Sequence, residues 1–166
     1  MVPEDRLKRG IFPKMNIRDN ICSARAFKKT KKHSLILNTK NMKEKTSKVI
    51  EEFSLSVSTQ EQLISELSGG NQQKAILGKW LITPPSVLLI DEPTRGVDVG
   101  AKTEIFNILR KLNKKGVAIL MVSSELVEVI SQSNRTIVMK DGSFVAEFLA
   151  GEVTKEKVVQ AAILNK

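Results

Sequence analysis

Residues 87–98 read Val-Leu-Leu-Ile-Asp-Glu-Pro-Thr-Arg-Gly-Val-Asp, and they carry the strongest structural signal in the chain. The four apolar residues 87–90 predict a buried strand, and the carboxylates of Asp91 and Glu92 follow where that strand ends. Ligands of open parallel sheets bind beyond the carboxyl ends of the strands, so we expect both acids to face a ligand.

Two adjacent carboxylates at a strand end can divide the work of phosphoryl transfer. One of them holds hydrated Mg²⁺, and its neighbour orients and deprotonates an attacking water. The same pattern also fits a strand that ends in two solvated acids. The acids by themselves therefore leave both interpretations open.

A second stretch, residues 67–74, reads Leu-Ser-Gly-Gly-Asn-Gln-Gln-Lys and leads into a predicted helix. Unpaired amides and the positive end of the helix dipole make such a start favourable for an anion, and glycine allows close backbone approach. The alternative is an ordinary Ser-Gly-Gly turn with an asparagine cap.

The surrounding pattern alternates strands with helices and therefore predicts an α/β fold, a mainly parallel sheet covered by helices on both faces. Pro84 and Pro85 end one predicted helix, and Gly116 ends another. The predicted helices are residues 71–82, 100–115, 125–131 and a last helix after Thr154; the predicted strands are 87–90, 117–122, 136–140 and 143–148, the last two joined by an Asp141-Gly142 turn.

The first third of the chain differs in character from the rest. Apolar residues at helical spacing predict a helix over residues 43–53, with loose connections around residues 30–41. The Lys-rich and Ser/Thr-rich composition gives way to dense apolar runs near residues 59–68. We therefore predict two parts, a helical subdomain over residues 1–66 and an α/β core over residues 67–166.

Composition excludes several classes of protein. With 41% hydrophobic and 27% charged residues, the 166-residue chain can fill a globular core. Its apolar stretches are far shorter than the roughly 20 residues of a membrane span, so any membrane contact is expected to be peripheral. Cys22 is the only cysteine, which favours a reducing cytoplasm and excludes an internal disulfide.

All of the positive excess behind the net charge of +9 lies in residues 1–50, which hold 14 Lys and Arg against 4 Asp and Glu. Phe12 and Phe27 are the only aromatic residues there, so the base-stacking platform of single-strand binders is missing. We expect a solvated basic face and no nucleic-acid partner, and His33 is expected to be exposed within it. Trp80, Met121 and Met139 are predicted to lie in the core.

Together these motifs resemble the ABC transporter family. Residues 67–74 resemble its signature loop, and residues 87–98 resemble its Walker B strand and D-loop. The amino-acid sequence of both stretches is similar to that of the second cassette in ATP-binding subunits of ribose/galactose-type sugar importers. The likeness covers nearly the whole chain, since residues 2–6 resemble the family's Q-loop and residues 151–162 its C-terminal helix.

The resemblance implies a P-loop NTPase fold and assigns roles to individual residues. Asp91 would be the Mg²⁺ carboxylate and Glu92 the general base for ATP hydrolysis. Asp98 would lie in the D-loop, and Glu4 stands where most family members carry the Q-loop glutamine. The γ-phosphate of ATP held by an opposite cassette would be met by the signature residues, Ser68, Gly69, Gly70, Asn71 and Gln72.

Two departures from the family pattern limit this assignment. The 166 residues contain no Gly-x-x-x-x-Gly-Lys-Ser/Thr loop, because Gly78-Lys79 is followed by Trp80 and Gln73 stands where the first glycine is needed. Since the chain opens almost at the Q-loop, we expect an N-terminally truncated cassette. Ser124 aligns with the switch histidine of the family, a substitution that is typical of second cassettes in the sugar group.

The missing loop leads to the first testable prediction. Without phosphate-cradling amides and their lysine, residues 1–166 are expected neither to bind nor to hydrolyse ATP appreciably on their own. Titration of the purified chain with ATP and Mg²⁺ by calorimetry checks this expectation, and micromolar binding would contradict it.

The residues and their resemblance leave three functions of different classes open. The first is an energy-coupling ATPase cassette that pairs with a second cassette and drives a sugar permease from the cytoplasmic face of the membrane. The second is a non-catalytic fragment that interacts with an intact cassette subunit or a permease, favoured by the missing loop and by Ser124. The third, nucleic-acid binding by an ABC-type repair or translation protein, rests on charge alone.

Overall fold

The structure is a computed structural model that describes residues 1–26, 38–82 and 84–164. It consists of two compact units, Met1–Leu120 and Met121–Lys166. The division falls within the second strand, whose residues 118–120 belong to the first unit. The elements are α1 (Ile17–Ala26), α2 (Thr39–Glu52), α3 (Gly69–Leu81), β1 (Val87–Asp91), α4 (Val99–Lys114), β2 (Ala118–Val122), α5 (Leu126–Gln132), β3 (Arg135–Lys140), β4 (Ser143–Leu149) and α6 (Lys155–Leu164).

In the first unit, helix α3 packs against α1, α2 and α4. A one-turn π-helix, Arg6–Gly10, precedes α1, and a one-turn 3-10 helix, Ile64–Glu66, precedes α3. The predicted helix and strand types in this unit are those observed, with ends shifted by one or a few residues. The largest fully buried apolar side chains of the unit are Ile17, Ile21, Ile64, Ile76, Leu77, Leu88, Ile90 and Ile105.

The helix ends of the first unit follow the sequence signals. The side chain of Asp98 caps α4 by accepting a hydrogen bond from the Ala101 amide at 2.9 Å. Gly116 takes a φ of +88° just beyond the helix, where its amide donates to the Asn113 carbonyl at 2.9 Å. Glycine adopts this left-handed conformation without steric cost, so the helix stops there.

One part of the predicted loose connection is helical instead. Residues 39–41 form the first turn of α2, because the side chain of Asn38 accepts a hydrogen bond from the Asn41 amide at 3.0 Å and caps the helix. The rest of that prediction, residues 30–37, lies outside the described residues, and so does His33.

Strand β1 pairs with β2 in a two-stranded sheet, and Val2 forms a parallel bridge to Ile90 on its other side. The Val2 amide donates to the Leu89 carbonyl at 2.8 Å, and the Asp91 amide donates to the Val2 carbonyl at 3.0 Å. Strand β1 therefore lies between Val2 and β2, and its carboxyl end leads into the segment that begins with Glu92.

One face of this strand carries exposed apolar side chains in the described part of the chain. Leu88 and Ile90 are buried, whereas Val87 and Leu89 are 56% and 42% exposed. Strand β2 shows a similar alternation, with Leu120 58% exposed. Because side chains of a strand point alternately to opposite faces, an apolar run cannot tell whether one face or both are covered.

The exposed apolar side chains of β1 lead to a second prediction. Leu89→Thr is expected to reduce the binding of an apolar fluorescent dye and the self-association of the chain, because it removes apolar area from an uncovered strand face. Its unfolding free energy should change by no more than about 0.5 kcal/mol, as for other exposed positions.

The matched control for Leu89→Thr is Val99→Thr at the start of α4, where valine is exposed outside the sheet. An equal effect of both variants on self-association would contradict the prediction.

The second unit is built around a hairpin of β3 and β4, which pair antiparallel with Lys140 opposite Ser143. Asp141 and Gly142 connect the strands with φ of +48° and +79°, as two-residue hairpin turns require. Helix α6 packs on both strands and contacts α5.

The core prediction for Met139 was wrong, since this side chain is 58% exposed. Thr136 and Val138 are the buried residues of β3, and strand alternation turns Met139 to the opposite face. Trp80 and Met121 are half-buried. Within residues 1–26, 38–82 and 84–164, no helix combines the length and apolar character needed to cross a bilayer.

Candidate functional site

The paired acids lie at the carboxyl end of β1. Asp91 is the last residue of the strand and is held by its backbone hydrogen bond to Val2. Glu92 follows with a φ of +47°, a conformation that residues with a Cβ rarely adopt. Its carbonyl accepts a hydrogen bond from the Arg95 amide at 3.3 Å. The strand end and this turn thus place the two carboxyl groups where a parallel-sheet ligand is expected.

The predicted signature residues form the start of α3. Ser68 is exposed and caps the helix, accepting from the Asn71 backbone amide at 3.4 Å and from the Asn71 side-chain amide at 3.1 Å. The Asn71 side-chain oxygen accepts in turn from the Ser56 amide at 3.0 Å. Ser68 therefore lies at the surface of the unit, Gly69 and Asn71 are half-buried, and Gly70 is buried.

Gln72 occupies a different environment from the other signature residues. It is buried, and its side-chain nitrogen donates to the carbonyls of Ile64 at 3.2 Å and Leu67 at 3.1 Å. Its side-chain oxygen accepts from Arg6 Nε at 3.3 Å. Gln72 therefore holds the loop from within, whereas Ser68 and Asn71 form its outer surface.

The beginnings of α3 and α4 meet. A Cβ added to Gly70 would lie 2.5 Å from the Ala101 Cβ and 3.8 Å from Asp98 Oδ2. Only a residue without a side chain allows this approach of the two helices. The structure thus brings the predicted signature glycines beside the predicted D-loop aspartate.

Glu4 lies on the same side of the first unit as Asp91. Its carboxylate forms an ion pair with the Arg95 guanidinium. Glu4 and Asp91 both line a small cleft of about 240 Å³. Its lining residues are Met1, Pro3, Glu4, Asp5, Lys8, Arg9 and Asp91. In this cleft the pKa of Asp5 lies below its usual value, because the Lys8 backbone amide donates to its carboxylate at 3.1 Å.

Ser124 belongs to the second unit. It is exposed in the segment between β2 and α5, next to Ser123, whose hydroxyl accepts from the Glu125 amide at 3.1 Å. Glu125 is the N-cap residue of α5.

Sequence reasoning missed the two arginines that connect these segments. Arg6 donates to two backbone carbonyls about 90 positions away in the chain and to the side chain of Gln72, and Arg95 pairs with the carboxylate of Glu4. Every residue carries a carbonyl, so the sequence holds no signal for such bonds. The position of Arg6, directly after Glu4 and Asp5, was the one sequence feature that could have drawn attention to it.

Solved structures define the class of protein. A nucleotide-free ATP-binding cassette from an ABC transporter matches with a TM-score of 0.75 and 26% identity, covering 91% of this chain and 64% of that one. The ATP-binding cassette MJ1267 of an ABC transporter matches with a TM-score of 0.74 and 28% identity, with the same coverage. The fold is that of P-loop NTPases of the ATP-binding-cassette class.

The family follows from the sequence. The family model described as ABC transporter matches residues 1–95, and the chain belongs to this family. The arabinose import ATP-binding protein AraG of Pectobacterium atrosepticum is 43% identical over 165 residues, which cover 99% of this chain. The ribose import ATP-binding protein RbsA of Clostridium tetani is 43% identical over 166 residues, covering 96% of it. The chain spans about a third, 32%, of the length of each of these relatives.

Proposed function

We propose that residues 1–166 are part of the second nucleotide-binding cassette of an ATP-binding subunit that energises carbohydrate import. The observation that carries the proposal is the acid pair at the end of β1, with Glu92 held in a turn directly behind Asp91. The relatives named for arabinose and ribose import support the choice of cargo class. Residues 1–66 would contribute the Q-loop and helical subdomain, and residues 67–166 the signature helix and the α/β core.

The roles of the acids follow from their positions. Glu92 would accept the proton of the water that attacks the γ-phosphate, and Asp91 would hold the Mg²⁺ that neutralises phosphate charge. The described residues contain no group of three or more His, Cys, Asp or Glu side chains that could hold a metal. One or two protein carboxylates suit Mg²⁺, which usually keeps several waters and takes its remaining ligands from substrate phosphates.

The signature surface would serve a neighbouring cassette. The exposed hydroxyl of Ser68 lies at the N-terminus of α3 beside Gly69, Gly70 and Asn71, and a helix N-terminus is a favourable environment for a phosphate held by another subunit. Gln72 would support this loop from below, Asp98 would face the partner at the start of α4, and Glu4 would act at the Q-loop. Ser124 would take the switch position.

Such a cassette would work as half of a pair. ATP would lie between it and the second cassette, and permease subunits would bind the pair at the cytoplasmic face of the membrane. Sugar-import subunits of this family generally work in this arrangement, and the exposed signature turn of this chain is consistent with it.

A chimera tests the proposal. Residues 1–166 replace the matching segment of the arabinose-import relative, and ATP hydrolysis and arabinose uptake are measured together with its permease. We expect both activities to persist, because the segment supplies the acids and the signature loop. A chimera that binds ATP but hydrolyses none, or one whose ATP hydrolysis is unaffected by substitution of Glu92, would contradict the proposed function.

The second candidate is a non-catalytic partner of an intact cassette or a permease. One feature favours it, the serine, Ser124, at the proposed switch position. Co-purification of the chain with an intact cassette subunit, in which it lowers or raises ATP hydrolysis without adding its own, would support this candidate. An active chimera sensitive to Glu92 would favour the catalytic one.

A further inference from the structure

Arg6 lies where three segments of the first unit meet. Its Nη1 donates to the Arg95 carbonyl at 2.8 Å, and its Nη2 donates to the Gly96 carbonyl at 3.4 Å. Its Nε donates to the Gln72 side-chain oxygen at 3.3 Å. One guanidinium thus bonds the turn after β1 and the first turns of α3 at the same time.

The fit around this guanidinium is close. A Cβ added to Gly69 would lie 2.7 Å from Arg6 Nη2 and 3.1 Å from the Gly96 carbonyl oxygen. The 2.7 Å distance is shorter than real Cβ contacts, so a side chain at position 69 would displace the Arg6 guanidinium, and the 3.1 Å distance to the carbonyl oxygen leaves little room beside it. Gly96 has a φ of +67°, which turns the chain so that consecutive carbonyls face the arginine.

Gln72 extends the contact into the loop that precedes α3. While its oxygen accepts from Arg6, its nitrogen donates to the carbonyls of Ile64 and Leu67. The amide nitrogen can only donate and the amide oxygen can only accept. A flipped amide would therefore lose its hydrogen bonds both to Arg6 and to the two carbonyls. Loss of Arg6 would therefore leave a buried acceptor unpaired next to the signature loop.

The π-helical turn that carries Arg6 is fixed to α3 along one helix face. A Cβ on Gly10 would lie 2.8 Å from Ile76 Cδ1, and Lys79 Nζ donates to the Gly10 carbonyl at 2.9 Å. Gln72, Ile76 and Lys79 are spaced by four and three residues, so they share a face of the helix. Burial lowers the pKa of Lys79, which also lies 5.6 Å from the centre of the Phe12 ring.

We propose that Arg6 is a positioning residue that ties the signature loop, residues 67–72, to the turn at Arg95 and Gly96. The inference rests on the proposed function, in which one segment meets a partner's nucleotide and the other begins the D-loop. The planar guanidinium reaches two carbonyls and an amide oxygen in fixed directions, which the point charge of a lysine cannot do. Through this tie, a displacement of the segment that carries Glu4 would move both loops together.

Amide hydrogen exchange of the whole 166-residue chain tests the tie. In Arg6→Ala and Arg6→Lys, exchange of amides in residues 68–72 and 95–98 should become about ten-fold faster, since bonds from a charged donor are lost. Exchange in the middle of α4, residues 105–112, should stay within about two-fold, because global stability is retained. Lys8→Ala is the matched control, since it removes a positive charge from the same turn at an 84% exposed side chain.

Chemical rescue of the Arg6→Ala variant distinguishes the specific contacts of the guanidinium from a general structural role of the side chain. Methylguanidinium at low millimolar concentration should restore slow exchange in Arg6→Ala, whereas methylammonium should not. Equal acceleration over all of residues 68–112, no acceleration in either loop, or equal rescue by both cations would overturn the proposal.

The chimera adds a functional readout. Arg6→Lys in it should lower kcat by about ten-fold and leave KM for ATP unchanged, as expected when catalytic geometry rather than ground-state binding is lost. An unchanged kcat despite faster exchange would overturn the positioning role. A parent chimera without any ATP hydrolysis would contradict the proposed function instead, and exchange in the 166-residue chain would still decide whether the tie exists.

Discussion

Glu92→Gln is expected to lower the kcat of the chimera by about a hundred- to ten-thousand-fold, the usual contribution of a general base. Glutamine keeps the size of the side chain and its hydrogen-bonding oxygen but cannot accept the proton of the attacking water. Because Glu92 would act on water and not on the nucleotide, binding of ATP should persist. The expected signature is therefore a lost turnover with a retained dissociation constant.

The measurement is steady-state phosphate release together with equilibrium binding of ATP to the same preparation. Glu44→Gln is the matched control, because it makes the same chemical change at an exposed position of α2. Its kcat should equal that of the parent. A Glu92→Gln chimera that hydrolyses ATP at the parent rate would assign the proton transfer to another group.

Gly70→Ala is expected to lower the unfolding free energy of the first unit by about 1–3 kcal/mol, the usual cost of overpacking a well-packed contact. The added methyl group would lie 2.5 Å from the Ala101 Cβ, so the starts of α3 and α4 must separate. Urea unfolding followed by the fluorescence of Trp80, the single tryptophan and part of α3, reports on this unit.

Two further variants identify the cause of that loss. Gly100→Ala places the same methyl group in the first turn of α4, where its nearest neighbour would be Asp98 Oδ1 at 3.3 Å. Alanine is the better helix former by about 0.5–1 kcal/mol, so this control should be neutral or slightly stabilising. Gly70→Ala combined with Ala101→Gly removes the opposing methyl group and should recover most of the stability. A double variant as unstable as Gly70→Ala would show that the contact with Ala101 is not the cause.

Much of the fold could be predicted because local signals and tertiary structure agree. Helix α4 begins at an aspartate cap and ends before Gly116, and its apolar face is that of Ile105, Leu109 and Leu112. The hairpin turn at Asp141 and Gly142 needs a left-handed conformation that this pair provides. Where a cap, a periodicity and a terminating residue coincide, the type of element is decided locally.

The sequence does not determine which face of a strand is covered by the rest of the protein. The run at residues 87–90 predicts a strand equally well whether one or both of its faces are covered, and only the tertiary structure shows that Leu89 is exposed. Met139 is apolar, but its register in β3 turns it outward. The roles of the site residues stay predictions, and the contacts of Arg6 could not be found because its acceptors on the turn after β1 are main-chain carbonyls.

The left-handed backbone at Glu92 sets the activity proposed for this residue against the stability of the fold. A residue with a Cβ in such a conformation costs of order 1 kcal/mol or more, and glycine would remove that cost together with the carboxylate. With the proposed role of Glu92 as general base, laboratory evolution for heat resistance alone would collect inactive sequences at this position. A programme to stabilise such a cassette would then have to select for turnover at every round.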